Sequence, residues 1–170
     1  MTPIGHLSVS YISGQSIRNI SLPAIIIGGL LPDIDFIFIF FDWFNQYHHV
    51  ITHNLLFISF AAFSGAVVVS GSSKKHVGFS LLLGSLLHLA VDSCMDNNPS
   101  NGTGVALLWP FYGELFSPFN FLSPSGIETG WKEPLKMIRP MLSVMLYELP
   151  FYAISGFLLL RKNRPGHASS

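Results

Sequence analysis

Residues 22–41 read LPAIIIGGLLPDIDFIFIFF. This stretch decides the fold. It is long enough for a bilayer span, which needs about 20 mostly apolar residues. It is not a plain span, because Gly28, Gly29, Pro32, Asp33 and Asp35 interrupt it. A proline lacks a backbone N–H and biases the preceding residue away from the α region, so the helix is expected to break near Pro32. Two carboxylates then stand at the end of an apolar helix.

Four further apolar stretches flank this one, at about residues 4–20, 54–70, 76–93 and 137–160. Pro23 suits a helix start. GSSKK at 71–75 is a polar turn, and residues 95–136 form a long connection rich in Asn, Gly, Pro and aromatics. The expected fold is all-α, a polytopic membrane bundle of about five helices. It forms a single domain over residues 1–164, with a polar tail at 165–170.

Composition supports the same class. Charged residues are 11% of the 170 and hydrophobic residues 49%, whereas a soluble domain carries about 25% charge. Too few charges remain to cover a water-facing surface. Formal net charge is +0, so nothing points to a nucleic-acid partner. The single cysteine, Cys94, excludes an internal disulfide and a multi-cysteine zinc site. The N-terminal segment lacks the basic region of a cleaved signal peptide.

If all five stretches cross, Arg18, Lys74, Lys75, Arg161, Lys162 and Arg164 fall on one side. Asp33, Asp35, Asp42, Asp92, Asp96, Glu114, Glu128 and Glu133 fall on the other, with Lys132, Lys136 and Arg139. Lys/Arg excess marks the cytoplasmic side. The expectation is a multi-pass plasma (inner) membrane protein, C-terminus inside and acidic face outside.

That acidic face also gathers histidines. His6 opens the first stretch, and Asp33 and Asp35 close the second. His48, His49 and His53 precede the third, and His88 and Asp92 end the fourth. Alternating directions bring all of them to one end of the bundle. His88 and Asp92 are four apart, on one helix face, and present a nitrogen and an oxygen donor suited to zinc, iron or manganese. Ionisable groups at membrane depth are expensive and mark function. A divalent metal site, with zinc as the preferred ion, is the expectation. Glu148 lies mid-span in the last stretch, followed by Pro150. It is read as a ligand or proton carrier, or as a protonated acid bonded to a carbonyl freed by the proline. No serine nucleophile elbow, P-loop or HExxH pattern occurs.

GHLSVS, GGLLPDID, HHVITHN, LGSLLHLAVDSC and GVALLWPF occur in this order over residues 5–115. The set resembles the DUF457 or YdjM-type membrane-bound metal-dependent hydrolases, described as LexA-binding inner-membrane proteins. That family is distantly similar to the zinc-dependent phospholipase C and nuclease P1 group. The resemblance implies ligand roles for His6, Asp33, His53, His88 and Asp92, with Asp35 as a ligand or its supporter. Where the family reads HRGxTH, this chain has His49 for the Arg and Val50 for the Gly. The family register prefers His48 with His53. Helical spacing prefers His49 with His53, and His49 stays a rival.

The expected function is metal-activated water attacking a phosphoester or related bond of a lipid-linked substrate, with Asp35 or Glu148 moving the proton. Membrane lipids are the expected partners, and the aromatic stretch 111–121 is an expected interfacial rim. The alternative is a non-enzymatic membrane regulator or partner-binding protein with a structural metal site.

Overall fold

The computed structural model describes residues 1–41, 43–69, 71–96, 102–122 and 134–162. Asp42, Glu128, Lys132, Glu133, Arg164 and the polar tail therefore lie outside the described residues. Among these residues every regular element is helical, beside one isolated bridge between Val105 and Phe116. The order is α1 (Pro3–Ser16), α2 (Leu22–Leu30), a 3-10 segment (Pro32–Phe38), α3 (Phe44–Tyr47), α4 (Leu55–Val68), a 3-10 turn (Gly71–Ser73), α5 (Lys74–Asp92) and α6 (Pro134–Lys162).

Side-chain caps set the helix starts. Thr2, Ser21 and Asn54 each accept a backbone N–H of the following turn, and Pro3 and Pro23 occupy first-turn positions, where a missing N–H costs nothing. The break at Pro32 occurs, but not as the expected departure from α geometry. Leu31 keeps helical dihedrals (φ −66°, ψ −39°). What changes is the hydrogen-bond register, with Leu31 N–H donating to Gly28 O and Ile34 N–H to Leu31 O. The tighter turn ends the α-helix and swings Asp33 and Asp35 inward, where both are buried.

Helix α2 is central. It packs on α5 and α1, while α4 packs on α5 and α6 on α1. The α2–α5 contact is backbone to backbone. A Cβ at Gly28 would lie 2.2 Å from Leu81 O, and one at Gly84 would lie 2.1 Å from Ile25 O. Small residues permit this approach, as they do between membrane helices. Ala24, Ala62 and Leu81 fill one apolar cluster, and Met95, Leu122 and Val144 another.

The interior is otherwise polar and the surface apolar. His6, His53, His88, Asp92 and Glu148 are among the most deeply buried side chains. Phe60, Phe63 and Val68 on α4 and Leu146, Phe157 and Leu160 on α6 are exposed. One described segment, Met141–Lys162, is long and apolar enough to cross a membrane. α4, with 14 residues, is apolar but short. Helix length thus supports a membrane-capable all-α protein, and the count of five spans goes beyond it.

Candidate metal centre

The close approach of α2 to α5 aims His88. Its Nδ1 lies 2.8 Å from Gly29 O. A carbonyl only accepts, so Nδ1 carries a proton and Nε2 is the nitrogen turned to the cluster. Asp92, one turn later on α5, places Oδ2 3.0 Å from that Nε2. His53 is set in the same way. Thr52 Oγ1 donates to Asp35 Oδ2 (3.1 Å) and so accepts from His53 Nδ1 (3.0 Å). His53 Nε2 is again the nitrogen turned to the cluster, 3.1 Å from His88 Nε2. Fixing an imidazole through its other nitrogen is how metal-binding histidines are oriented.

Four atoms now converge: His53 Nε2, His88 Nε2, Asp33 Oδ1 and Asp92 Oδ2. Five of the six separations are 3.1 Å (His53–His88), 3.6 Å (His53–Asp33), 3.5 Å (His53–Asp92), 3.6 Å (His88–Asp33) and 3.0 Å (His88–Asp92). Zinc bonds of about 2.0–2.1 Å to nitrogen and oxygen imply a tetrahedron edge of about 3.3–3.4 Å. The observed values bracket that edge. The donor set, two imidazoles and two carboxylates, suits a divalent first-row ion.

Around this cage lie further donors. His6 stacks on His88 (3.5 Å between ring centroids) and puts Nε2 3.1 Å from Asp92 Oδ1 without hydrogen-bond alignment. The Met1 amino group is 2.7 Å from the same oxygen. Asp33 Oδ2 and Asp35 Oδ1 are buried with no hydrogen-bond partner, a costly state that an ion would relieve. His48 Nδ1 lies 3.0 Å from Asp35 Oδ2. Donor atoms within 4.8 Å of one another fall into three groups: His6, Asp33, His88 and Asp92; Asp33, Asp35 and His48; and His48, His49 and His53.

The adjacent histidines differ electrostatically. Burial, and then repulsion from His49, lowers the pKa of His48 to about 4, so it stands neutral at neutral pH. Burial also opposes a proton on His49, but Asp96 and then Asp92 outweigh it and its pKa is raised. A carboxylate faces each, Asp35 hydrogen-bonded to His48 and Asp96 at 3.4 Å from His49 without hydrogen-bond alignment.

All six candidate ligands and Asp35 come to one place, and His49 joins them. Glu148 meets the start of α1. It is fully buried, but its carboxylate accepts from Thr2 N–H (2.5 Å), Thr2 Oγ1 (2.6 Å) and the Tyr152 hydroxyl. It thereby anchors the start of α1, the helix that carries His6. Sequence reading passed over Thr2, Thr52 and, as a site residue, Asp96. Thr52 directly precedes His53, and that adjacency was the one signal available. Nothing in the spacing joins Thr2 to Glu148.

The aromatic stretch 111–121 stands out from the surface, with Phe111, Tyr112, Phe119 and Phe121 exposed. No curated protein and no solved structure matches the chain. One family model matches residues 1–160, that of the YdjM inner membrane protein. With a His/Asp cluster buried at the ends of its helices and a membrane-capable α6, the chain belongs to the YdjM inner membrane protein family.

Proposed function

We propose that this protein is a membrane-bound, metal-dependent hydrolase acting on a phosphoester or related bond of a lipid-linked substrate. The observation that carries the reading is the cluster of His53, His88, Asp33 and Asp92, whose His–His and His–Asp separations suit a zinc-class ion. Such an ion supplies a water of lowered pKa and stabilises developing negative charge. The chain's own residues do the rest. Gly29 O and Thr52 hold the two imidazoles in the metal-ready tautomer. Asp35, bonded to His48 and Thr52, is the carboxylate placed to take a proton beside the cage. Glu148 fixes α1 and so the position of His6.

The apolar exterior of α4, α5 and α6 supports a multi-pass bundle, with the centre at the acidic, extracytoplasmic end and the C-terminus in the cytoplasm. Exposed Trp43 and Tyr47, near the His48–His53 loop, together with Phe111 and Tyr112, would lie at the head-group level and suit a phospholipid or polyprenyl phosphate. The test is metal content by mass spectrometry on detergent-purified protein. Stoichiometric zinc, iron or manganese is expected, falling below a tenth in His88→Ala and Asp92→Ala. Phosphate release from lipid phosphates is then measured. No bound metal, after zinc is offered back, would sink the hydrolase reading.

A second reading has its own support. Four protein donors close a tetrahedral site, as structural zinc centres do, whereas catalytic sites leave a position open. The protein would then be a non-enzymatic membrane regulator or partner-binding protein. Cobalt-loaded protein separates the two. A visible spectrum that shifts with added phosphate marks an open site, and one that does not marks a closed site.

A further inference from the structure

His49 has the least ordinary backbone in the site. Its φ is +71°, a left-handed conformation that non-glycine residues adopt rarely and at a cost. Strain of this kind persists only where the surroundings enforce it. Here Ala106 N–H donates to His49 O at 3.0 Å, and Leu55 N–H donates to Leu107 O at 2.9 Å. The 102–122 segment is thus clamped over the 48–55 segment. The result is an imidazole that is nearly buried (5% exposed), with Nε2 3.9 Å from Asp92 Oδ2 and Nδ1 3.4 Å from Asp96 Oδ2.

Asp96 is itself 2% exposed. Its Oδ2 accepts from Gly104 N–H at 2.8 Å, and its backbone N–H donates to Asn120 Oδ1 at 3.0 Å. Holding the loop requires only an acceptor oxygen, which Asn would supply. A buried carboxylate costs far more than an amide unless a positive or polarised partner faces it. The His49 ring is one such partner, and its other nitrogen lies 3.9 Å from Asp92 Oδ2. The His48, His49 and His53 rings also touch, with centroids 4.4 to 4.9 Å apart.

We propose that His49 is a further imidazole donor of the metal centre and that Asp96 is its positioning residue, its carboxylate drawing the ring by charge from 3.4 Å without hydrogen-bond alignment. This rests on the metal-centre reading above. It makes the segment after α5 part of the centre: a carboxylate at the head of that segment, through one imidazole, sets the affinity and ligand field of the ion. Carboxylates that orient metal-binding imidazoles change affinity by about 10–100-fold when removed.

The test uses full-length protein in detergent, with Co2+ alone as the probe, then Zn2+ in competition. Asp96→Asn keeps an oxygen for Gly104 N–H, and His49→Asn places at φ +71° a residue that tolerates it. Thermal unfolding of both confirms that they fold. Asp96→Asn is expected to weaken Co2+ binding about 10–100-fold and to shift the visible absorption band. His49→Asn should do the same, and the double variant should be no weaker than His49→Asn alone. If the parent binds Co2+ and both variants match it in affinity and band, His49 and Asp96 are loop residues only and the inference fails, with the metal centre intact. If the parent binds neither ion, both fail together.

Discussion

His88 and His49 reach the same cluster by opposite means. His88 stands on a 19-residue helix, and a backbone carbonyl of α2 fixes its ring. His49 stands in a connection with a left-handed backbone, and a loop carboxylate faces its ring. The first arrangement is made by rigid elements that pack without side chains between them. The second is made by clamping one loop on another. Rigid helices give precise placement, while loops give adjustable placement. The half of the site contributed by α2 and α5 is therefore expected to behave as part of the fold. The half contributed by residues 48–53 and 96–106 is expected to respond to the ion.

The largest effect is expected where that distinction is sharpest. Gly84→Val would put side-chain atoms against Ile25 O, already 2.1 Å from a Cβ at this position. The helices must separate, Gly29 O leaves His88, and stability should fall by about 3 kcal/mol or more. Thermal unfolding in detergent, read beside metal content, should show both lost together. If metal binding survives, the helical half is not what aims His88.

Thr52→Val tests the loop half. The variant keeps the shape but removes the hydroxyl between His53 Nδ1 and Asp35 Oδ2. Zinc affinity should drop about tenfold, with unfolding moved by only about 1–2 kcal/mol. Competition against a chromophoric chelator measures the first. An affinity loss as large as that of His88→Ala would erase the contrast.

The metal-free protein offers a pH test with opposite signs on adjacent residues. His48 is lowered to about 4. Between that value and about 6.5, the unfolded chain binds the proton that the folded one refuses. Its contribution is complete above about 6.5 and is lost as pH falls towards 4. His49 is raised, so its contribution is complete below about 6.5 and is lost as pH rises through the raised value. Chelator-treated protein should show His48→Gln flattening the acid side of the stability curve and His49→Asn the alkaline side. The same slope change in both would show that one shared group titrates.

The smallest effect on folding is expected at the rim. Phe111 is 86% exposed, so Phe111→Ser should alter stability by no more than about 0.5 kcal/mol. Activity on substrate in vesicles should nevertheless fall relative to a detergent-soluble phosphoester. Equal loss on both would place Phe111 in the chemistry rather than at the lipid surface.

Composition and hydropathy determined the class of this protein. With 11% charged residues against 49% hydrophobic, the chain has to turn apolar side chains outward. Apolar stretches ending in His or Asp then have to collect those groups at common ends. The convergence of His6, Asp33, His53, His88 and Asp92 was legible because it depends only on segment order and the i,i+4 rule. Three things depended on contacts between residues far apart in the chain. The four-atom cage needed the glycine-to-backbone approach of α2 and α5, which sets angles that no spacing encodes. Glu148 had a mid-span position but no visible partner, and Thr2, 146 residues away, decided its place at the start of α1. His48 and His49 were rivals in sequence, the family register favouring one and helical spacing the other. Tertiary structure separated them by giving one Asp35 and the other Asp96, because an imidazole's role is set by the group on its far nitrogen.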